Sequence, residues 1–309
     1  MGLIMFTLAN KSNPTSVGVF KKMYGQLKVF SKQGVDCYFL YKDHHYLVLE
    51  NISTEEVTRK IPQSTQDLYK IAFEAITRIN PEYIYIRKMI INHRALIFLQ
   101  RLKAQRKIKI IMEFPTLPYD AELKGRIVLN IDRHCRKDLK NYIDLAVNYN
   151  RFKEVFGIPA ISIFNATDVG SLPVNASEPG KNEIHMIAAA CLAKWHGYER
   201  LLEGLGQYGR HGKYKVYFHI VGEEQMPGVC ELLQNLTRKY NLQDRIKFYG
   251  FKAGKDLDDL FNRSHIAVGS LGLHRINLRC GSALKEQEYC ARGLPFINAF
   301  KNTAFDLDY

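Results

Sequence analysis

In this 309-residue chain, cations set beside glycine turns are the residues best suited to chemistry. The densest group is His274-Arg275, followed by Cys280-Gly281-Ser282-Ala283-Leu284-Lys285-Glu286-Gln287-Glu288-Tyr289. Gly281-Ser282 ahead of a helix would supply free backbone amides and a hydroxyl cap, a combination that attracts anions. Lys285 falls in the first helical turn, within reach of the same anion, and Arg275 adds a second cation. Glu288, one turn on, is placed to accept hydrogen bonds from a ribose diol. The plainer alternative is a capped surface helix carrying a Lys–Glu pair. The charges crowd beside a glycine-rich turn and precede Ala291-Arg292-Gly293-Leu294-Pro295, which favours binding.

Three other turns carry weaker signals. Lys194, His196 and Gly197 lie in Ala193-Lys194-Trp195-His196-Gly197-Tyr198, directly after an apolar strand. That order puts cations and a helix N-terminus at the lip of a sheet; Trp195 reads there as a core anchor. Gly222 and Glu223 follow another strand, where a glycine lets backbone approach a planar base or a ribose. Gly18 closes the first strand-to-helix turn, Asn10 to Gly18, and would admit a phosphate or sugar. Neither GxGxxG nor GxxxxGK[ST] spacing is present, so the NAD and P-loop readings fail.

The elements that must position these residues alternate. Apolar, β-branched runs at 35–41, 83–87, 107–114, 143–149, 160–164, 184–190, 215–221, 245–249, 265–270 and 294–298 read as strands. Amphipathic stretches at 17–33, 64–79, 93–105, 122–142, 198–208, 227–240 and 282–291 read as helices between them. Such alternation makes parallel sheets covered on both faces. It pauses between Asp168 and Asn182, where Gly170, Pro173, Pro179 and Gly180 read as a linker. The expected fold is therefore α/β: two doubly wound, Rossmann-like domains facing across a cleft, residues 1–170 and 171–309.

Composition narrows the classes. At 46% hydrophobic and 24% charged residues the chain is globular rather than disordered. Six widely spaced cysteines without a CxxC fit neither a disulfide framework nor a zinc site. The apolar start, Met1 to Ala9, is too short to span a bilayer and lacks a basic leader, so a cytoplasmic location is expected. The net charge of +13 suits a polyanionic partner, and residues 101–140 hold 11 basic against 5 acidic residues. Arg133, Arg136, Lys137 and Lys140 fall at i, i+3, i+4 and i+7 of the expected helix, and Arg101, Lys103, Arg106 and Lys107 form a second cluster. A solvated face is the bland reading of that stripe.

With these residues in view, a resemblance becomes legible. Val221-Gly222-Glu223, Ile246-Lys247-Phe248-Tyr249-Gly250 and Leu284 through Pro295 resemble the C-terminal half of GT-B glycosyltransferases of family 4. Trp195-His196-Gly197-Tyr198-Glu199-Arg200 is similar to that family's lysine–glycine turn in a variant spelling. Tyr83 to Arg87, Met112 to Glu122 and Asn165-Ala166-Thr167-Asp168 resemble the words of a subgroup that makes bacterial surface polysaccharides. The chain departs from the pattern in three places. Of two glutamates eight apart, Glu288 matches the second while Cys280 stands at the first; Cys191 stands at the usual arginine and His196 at the lysine. Family members generally continue past the position of Tyr309, so a C-terminally incomplete second domain is expected.

The resemblance implies a hexosyltransferase acting with retention and without a metal. It would use a nucleotide-sugar donor and a glycan or lipid-linked acceptor, with no separate cofactor. Lys285, Arg275 and the amides around Ser282 are expected to stabilise the departing diphosphate. Gly18, Lys194, His196, Gly197, Gly222, Glu223 and Glu288 complete the expected donor contacts. Glu113, near the end of the 107–114 strand and before Pro115-Thr116-Leu117-Pro118-Tyr119, is expected on the acceptor side of the cleft as a catalytic residue. A lipid-linked acceptor would make the 133–140 stripe a peripheral contact with the anionic inner face of the plasma membrane. A metal-dependent transferase would need Asp-x-Asp on a loop; Asp256-Leu257-Asp258 starts a helix and Asp306-Leu307-Asp308 lies at the chain end. The rival outside enzymology is a polyanion- or nucleic-acid-binding protein using residues 101–140, but RNA-binding and helix-turn-helix words are lacking, so a nucleic-acid partner is not expected.

Overall fold

A computed structural model describes residues 1–105, 107–120, 123, 125–175, 178, 180, 182–209 and 212–305. Arg106, Glu122, Pro179 and Asp306-Leu307-Asp308 lie outside the described residues. The chain divides into two units, Met1–Phe164 and Asn165–Tyr309.

The first unit runs β1 (Gly2–Asn10), α1 (Val17–Lys32), β2 (Asp36–Asp43), β3 (Tyr46–Asn51), β4 (Val57–Lys60), α2 (Thr65–Ile79), β5 (Tyr83–Arg87), α3 (His93–Lys103), β6 (Lys109–Phe114), α4 (Arg126–Cys135), β7 (Leu145–Asn148), β8 (Glu154–Val155) and β9 (Ile158–Ser162). Among the described residues these strands form one sheet in the order β4-β3-β2-β1-β5-β6-β7-β9-β8. The stretch from β2 to β9 is parallel; β3, β4 and β8 pair antiparallel at its margins. Alternation within β1 shows why both faces must be covered. Ile4 and Phe6 point to the layer of α2 and α3, and Leu3 and Met5 to α1, all of them buried.

The second unit runs β10 (Glu183–Ala189), α5 (Tyr198–Tyr208), β11 (Lys215–Val221), α6 (Val229–Lys239), β12 (Ile246–Phe248), α7 (Gly254–Asn262), β13 (Ile266–Val268), β14 (Cys280–Gly281), α8 (Leu284–Ala291), β15 (Phe296–Ile297) and β16 (Lys301–Asn302). Its parallel sheet has the order β12-β11-β10-β13-β15, with β14 and β16 paired separately. Met186 and Ala188 pack under α5 and α6, while Ile187 on the opposite face meets Phe261 and Tyr289 of α7 and α8. The α/β class with doubly wound parallel sheets is therefore as expected. No described helix is long and apolar enough to cross a membrane.

Two departures from the sequence reading have local causes. The β2–β3 hairpin was not legible because its turn, Asp43-His44-His45, lacks the usual glycine or proline, and His44 takes the left-handed conformation (φ 50°) instead. The helix expected over 122–142 is two pieces, α4 and a 3-10 turn from Arg136 to Asn141. Its inward face is set by buried Asp132, Cys135 and Leu139. Asp132 accepts from the Ile91 amide and the Tyr119 hydroxyl, anchoring α4 against the loop after β5.

Candidate functional site

In an open α/β sheet, ligands bind at the carboxyl ends of the strands, where the chain reverses its direction of winding. In the second unit β11 and β12 lie on one side of β10, and β13 and β15 on the other. The switch point is thus the crevice between β10 and β13, rimmed by the loops 190–197 and 269–283. The N-termini of α5 and α8 open onto the same edge, each bringing unpaired amides and the positive end of its dipole.

The two loops are bonded together. The amides of Leu271 and Gly272 donate to the carbonyls of His196 (2.7 Å) and Trp195 (3.2 Å). Gly197 holds φ +66°, and a Cβ there would come within 2.8 Å of the Leu271–Gly272 backbone, so both the turn and the contact require glycine. Arg275 donates to the Lys194 carbonyl and pairs with Glu199. It therefore stitches the loops together, with its guanidinium already half-committed.

Lys285, half-buried in the first turn of α8, points its ammonium to within 3.4 Å of the Tyr198 hydroxyl and stands over the Tyr198 ring. Burial brings its pKa down from 10.5 to about 8, with Glu286 opposing the fall. His196 is buried, accepts from the Ala193 amide and stacks on Tyr198. Burial, and then the Lys285 charge, push its pKa well below 6.5, so the ring is neutral. In the position where a lysine was expected, His196 thus offers a neutral hydrogen-bonding group rather than a cation. Lys194 is exposed at the lip.

Several expected roles change in detail. Ser282 does not cap α8: its hydroxyl accepts from the Asn165 amide (3.0 Å), its carbonyl accepts from the Asn165 side chain, and Ala283 stands at the cap position without a side-chain bond. The first turn of α8 thus begins without a side-chain cap. Gly222 is demanded by the protein's own backbone, since a Cβ there would lie 1.9 Å from the Ala190 carbonyl oxygen. Glu223 is exposed, and its carbonyl takes the Leu192 amide. Glu288 pairs with Arg292 (2.9 Å), which also holds Asp258 (2.6 Å) on α7.

The carboxylate that the sequence reading passed over is Glu286. It is fully buried; its Oε2 accepts from Asn298 and Asn302, and its Oε1 has no hydrogen-bond partner and lies where a side chain on Gly269 would sit. Burial raises its pKa, against the pull of Lys285 and of the donors around it. The available signal was spacing, because Glu286 shares the inward i, i+3 face of α8 with Tyr289.

In the first unit Glu113 lies at the carboxyl end of β6 and is 1% exposed. Its carboxylate accepts from Lys22 (2.8 Å), Arg87 (2.6 Å) and the Tyr85 hydroxyl (2.6 Å), and Lys22 also meets the Tyr149 hydroxyl. Burial alone would raise the Glu113 carboxyl, but the two cations bring it below the ordinary carboxylate value. Glu113, expected as a catalytic residue on the acceptor side, is the centre of a closed ionic cluster. Gly18 is an exposed residue in the first turn of α1, with nothing near its α-carbon. Arg133, Arg136, Lys137 and Lys140 remain on one side of α4 and the turn after it, with both arginines on Asp120. In the second cluster Lys103 pairs with Asp144 and Arg101 covers the Phe73 ring.

This architecture has solved counterparts. Sucrose-phosphate synthase from Thermosynechococcus elongatus superposes with a TM-score of 0.67 at 13% identity, over 97% of this chain and 81% of that one. HepE of Anabaena, solved with UDP-glucose, gives 0.64 at 13%, over 98% and 82%. The catalytic domain of starch synthase IV from Arabidopsis thaliana, bound to ADP and acarbose, gives 0.66 at 10%, over 100% and 85%. The fold is that of GT-B glycosyltransferases. No protein-family model and no curated protein sequence matches the chain.

Proposed function

We propose that the chain is a glycosyltransferase that binds a nucleotide-sugar at the carboxyl edge of the β10–β15 sheet. The observation that carries this reading is the meeting of Lys285, the open N-terminus of α8 and neutral His196 at the β10–β13 switch point. A leaving nucleoside diphosphate gathers charge as the bond to the sugar breaks. A cation and fixed amides aimed at it stabilise the transition state more than the ground state. Lys285 supplies the cation and the first turn of α8 the amides, while Lys194 adds a mobile charge at the lip. His196, whose Nδ1 accepts from the Ala193 amide, donates a hydrogen bond from Nε2 without adding charge. The loop at Gly222-Glu223 lies one strand away, on the side where a base and ribose would extend. Arg275 keeps the two rim loops in register, and Glu288 reaches a ribose only by exchanging its bond to Arg292.

The finer reading draws on the resemblance of the sequence words: transfer with retention, no metal, and a glycan or lipid-linked acceptor in surface-polysaccharide synthesis. Glu113 enters it as a positioning residue that holds Arg87 and Lys22 at the carboxyl edge of the first sheet. Saturation-transfer NMR with a panel of nucleotide-sugars tests the core claim. A donor whose signals respond in wild type and vanish in Lys285→Ala is expected; a panel with no responding member refutes it.

A further inference from the structure

A second region with binding character lies in the first unit, at the opposite end of its sheet. The chain leaves α4 through the turn at 136–141 and enters the start of β7, while Phe156-Gly157 immediately precedes β9. Strands β7 and β9 are parallel, so these segments meet at the amino edge. They border an open depression of about 900 Å³ lined by Arg133, Arg136, Lys137 and Lys140, together with His134 and Phe156; among the described residues no carboxylate lines it.

The cations are arranged rather than merely numerous. Arg133 and Arg136 converge on the single carboxylate of Asp120, at 2.7 and 2.6 Å. Asp120 thus orients two guanidinium groups, and buried Asp132 stands 3.6 Å from Arg136 as a second counter-charge. Lys137 and Lys140 have no acidic partner among the described residues. Phe156 holds φ +53°, a conformation that a bulky residue keeps only where packing imposes it. Its ring stands edge-on to Phe114 and Tyr119, with the Arg136 guanidinium 4.8 Å from its centre. One wall is therefore an aromatic plate beside a fixed arginine.

A volume of this order suits a substrate-sized molecule rather than a lone phosphate. We infer that this cavity binds a soluble polyphosphate ester, two or more linked phosphates on a ring-bearing body, at a site separate from the donor crevice. The remaining N–H groups of the two arginines offer hydrogen bonds to phosphate oxygens, the lysines neutralise further charge, and the ring lies against Phe156. The inference rests on the first unit alone and stands whether or not the donor reading holds.

Calorimetric titration of the full chain with ATP and with inorganic tripolyphosphate tests it, in a Lys285→Ala background that weakens the donor crevice. One saturable site for each probe is expected. Lys137→Ser with Lys140→Ser should weaken both probes at least about tenfold, the loss expected from removing charge-assisted hydrogen bonds. Phe156→Ala should weaken ATP but leave tripolyphosphate unchanged. Unaltered affinities in the double variant overturn the site, and equal losses for both probes in Phe156→Ala overturn the ring contact. Binding to phosphatidylserine vesicles that ATP fails to displace would show a membrane face in place of a soluble-ligand site.

Discussion

On the proposed reading, Lys285 should make the affinity for a nucleoside diphosphate depend on pH in a way that can be calculated. With its pKa brought down to about 8, the free protein carries the charge on about nine molecules in ten at pH 7 but on about one in ten at pH 9. A bound diphosphate restores the charged form, because two anionic groups replace the missing solvation. Binding above pH 8 therefore takes up a proton, and the dissociation constant for UDP should rise about tenfold between pH 7 and pH 9. The phosphates are fully ionised above about pH 7 and do not contribute to that slope. Any titration of the uracil ring persists in Lys285→Ala, which serves as the baseline. That variant should bind more weakly by about 1.5–3 kcal/mol at pH 7 and lose the extra slope. Lys285→Arg, which does not titrate, should also lose it. Calorimetry in two buffers of different ionisation enthalpy should show uptake of roughly half a proton per UDP at pH 8. The linkage has a counterpart in stability. A lysine whose folded pKa lies below its unfolded value of 10.5 opposes folding at neutral pH and ceases to do so as pH rises from 8 to 10.5. The penalty is at most about 3 kcal/mol. An identical pH dependence in wild type and Lys285→Ala would refute the assignment of the diphosphate to this lysine.

Further expectations follow from neighbouring groups. Glu286→Gln removes the carboxylate that sustains the Lys285 charge, so the break in UDP affinity should move to lower pH; an unmoved break counts against the coupling. Gly222→Ala places a methyl group 1.9 Å from the Ala190 carbonyl oxygen, and should destabilise the second unit by about 3 kcal/mol or more, read as a lower midpoint in urea; an unchanged midpoint contradicts the geometry. Glu113→Ala leaves Lys22 and Arg87 buried without their counter-charge, costing about 3–5 kcal/mol by thermal melting, while UDP binding by the second unit persists; an unaltered melt refutes the closed cluster. His219, bonded to His185 and Tyr249, has its pKa pushed down to about 4 by burial and by the His185 charge. Folding favours its neutral form, so stability should fall by roughly 3 kcal/mol as pH drops from 6.5 to 4. His219→Gln should flatten that fall, as followed by urea unfolding across the range.

Local pattern and tertiary arrangement decided different things about this protein. Continuous apolar runs such as Tyr83–Arg87 and Lys215–Val221 can be satisfied only in a sheet covered on both faces, so the doubly wound class was present in the order of residues. The turns that gather at the second sheet's carboxyl edge were also legible, because glycine beside a strand end and a cation at a helix start are local features. What those residues do with one another was not. Whether Arg275 faces a ligand or Glu199 depends on where two loops, some eighty residues apart in sequence, come to rest. Ser282 reads as a cap until Asn165 arrives to occupy its hydroxyl. His196 looks like a cation in sequence and is neutral in the fold, since burial beside Lys285 removes the solvent that would stabilise its charge. Glu113 and Glu286 look like any other carboxylates along the chain. Their burial, the one among two cations and a tyrosine, the other beneath Gly269, depends on strands adjacent in space and distant in sequence. Spacing carries the faces of helices and strands; desolvation and pairing, which set charge and reactivity, exist only after the chain has closed on itself.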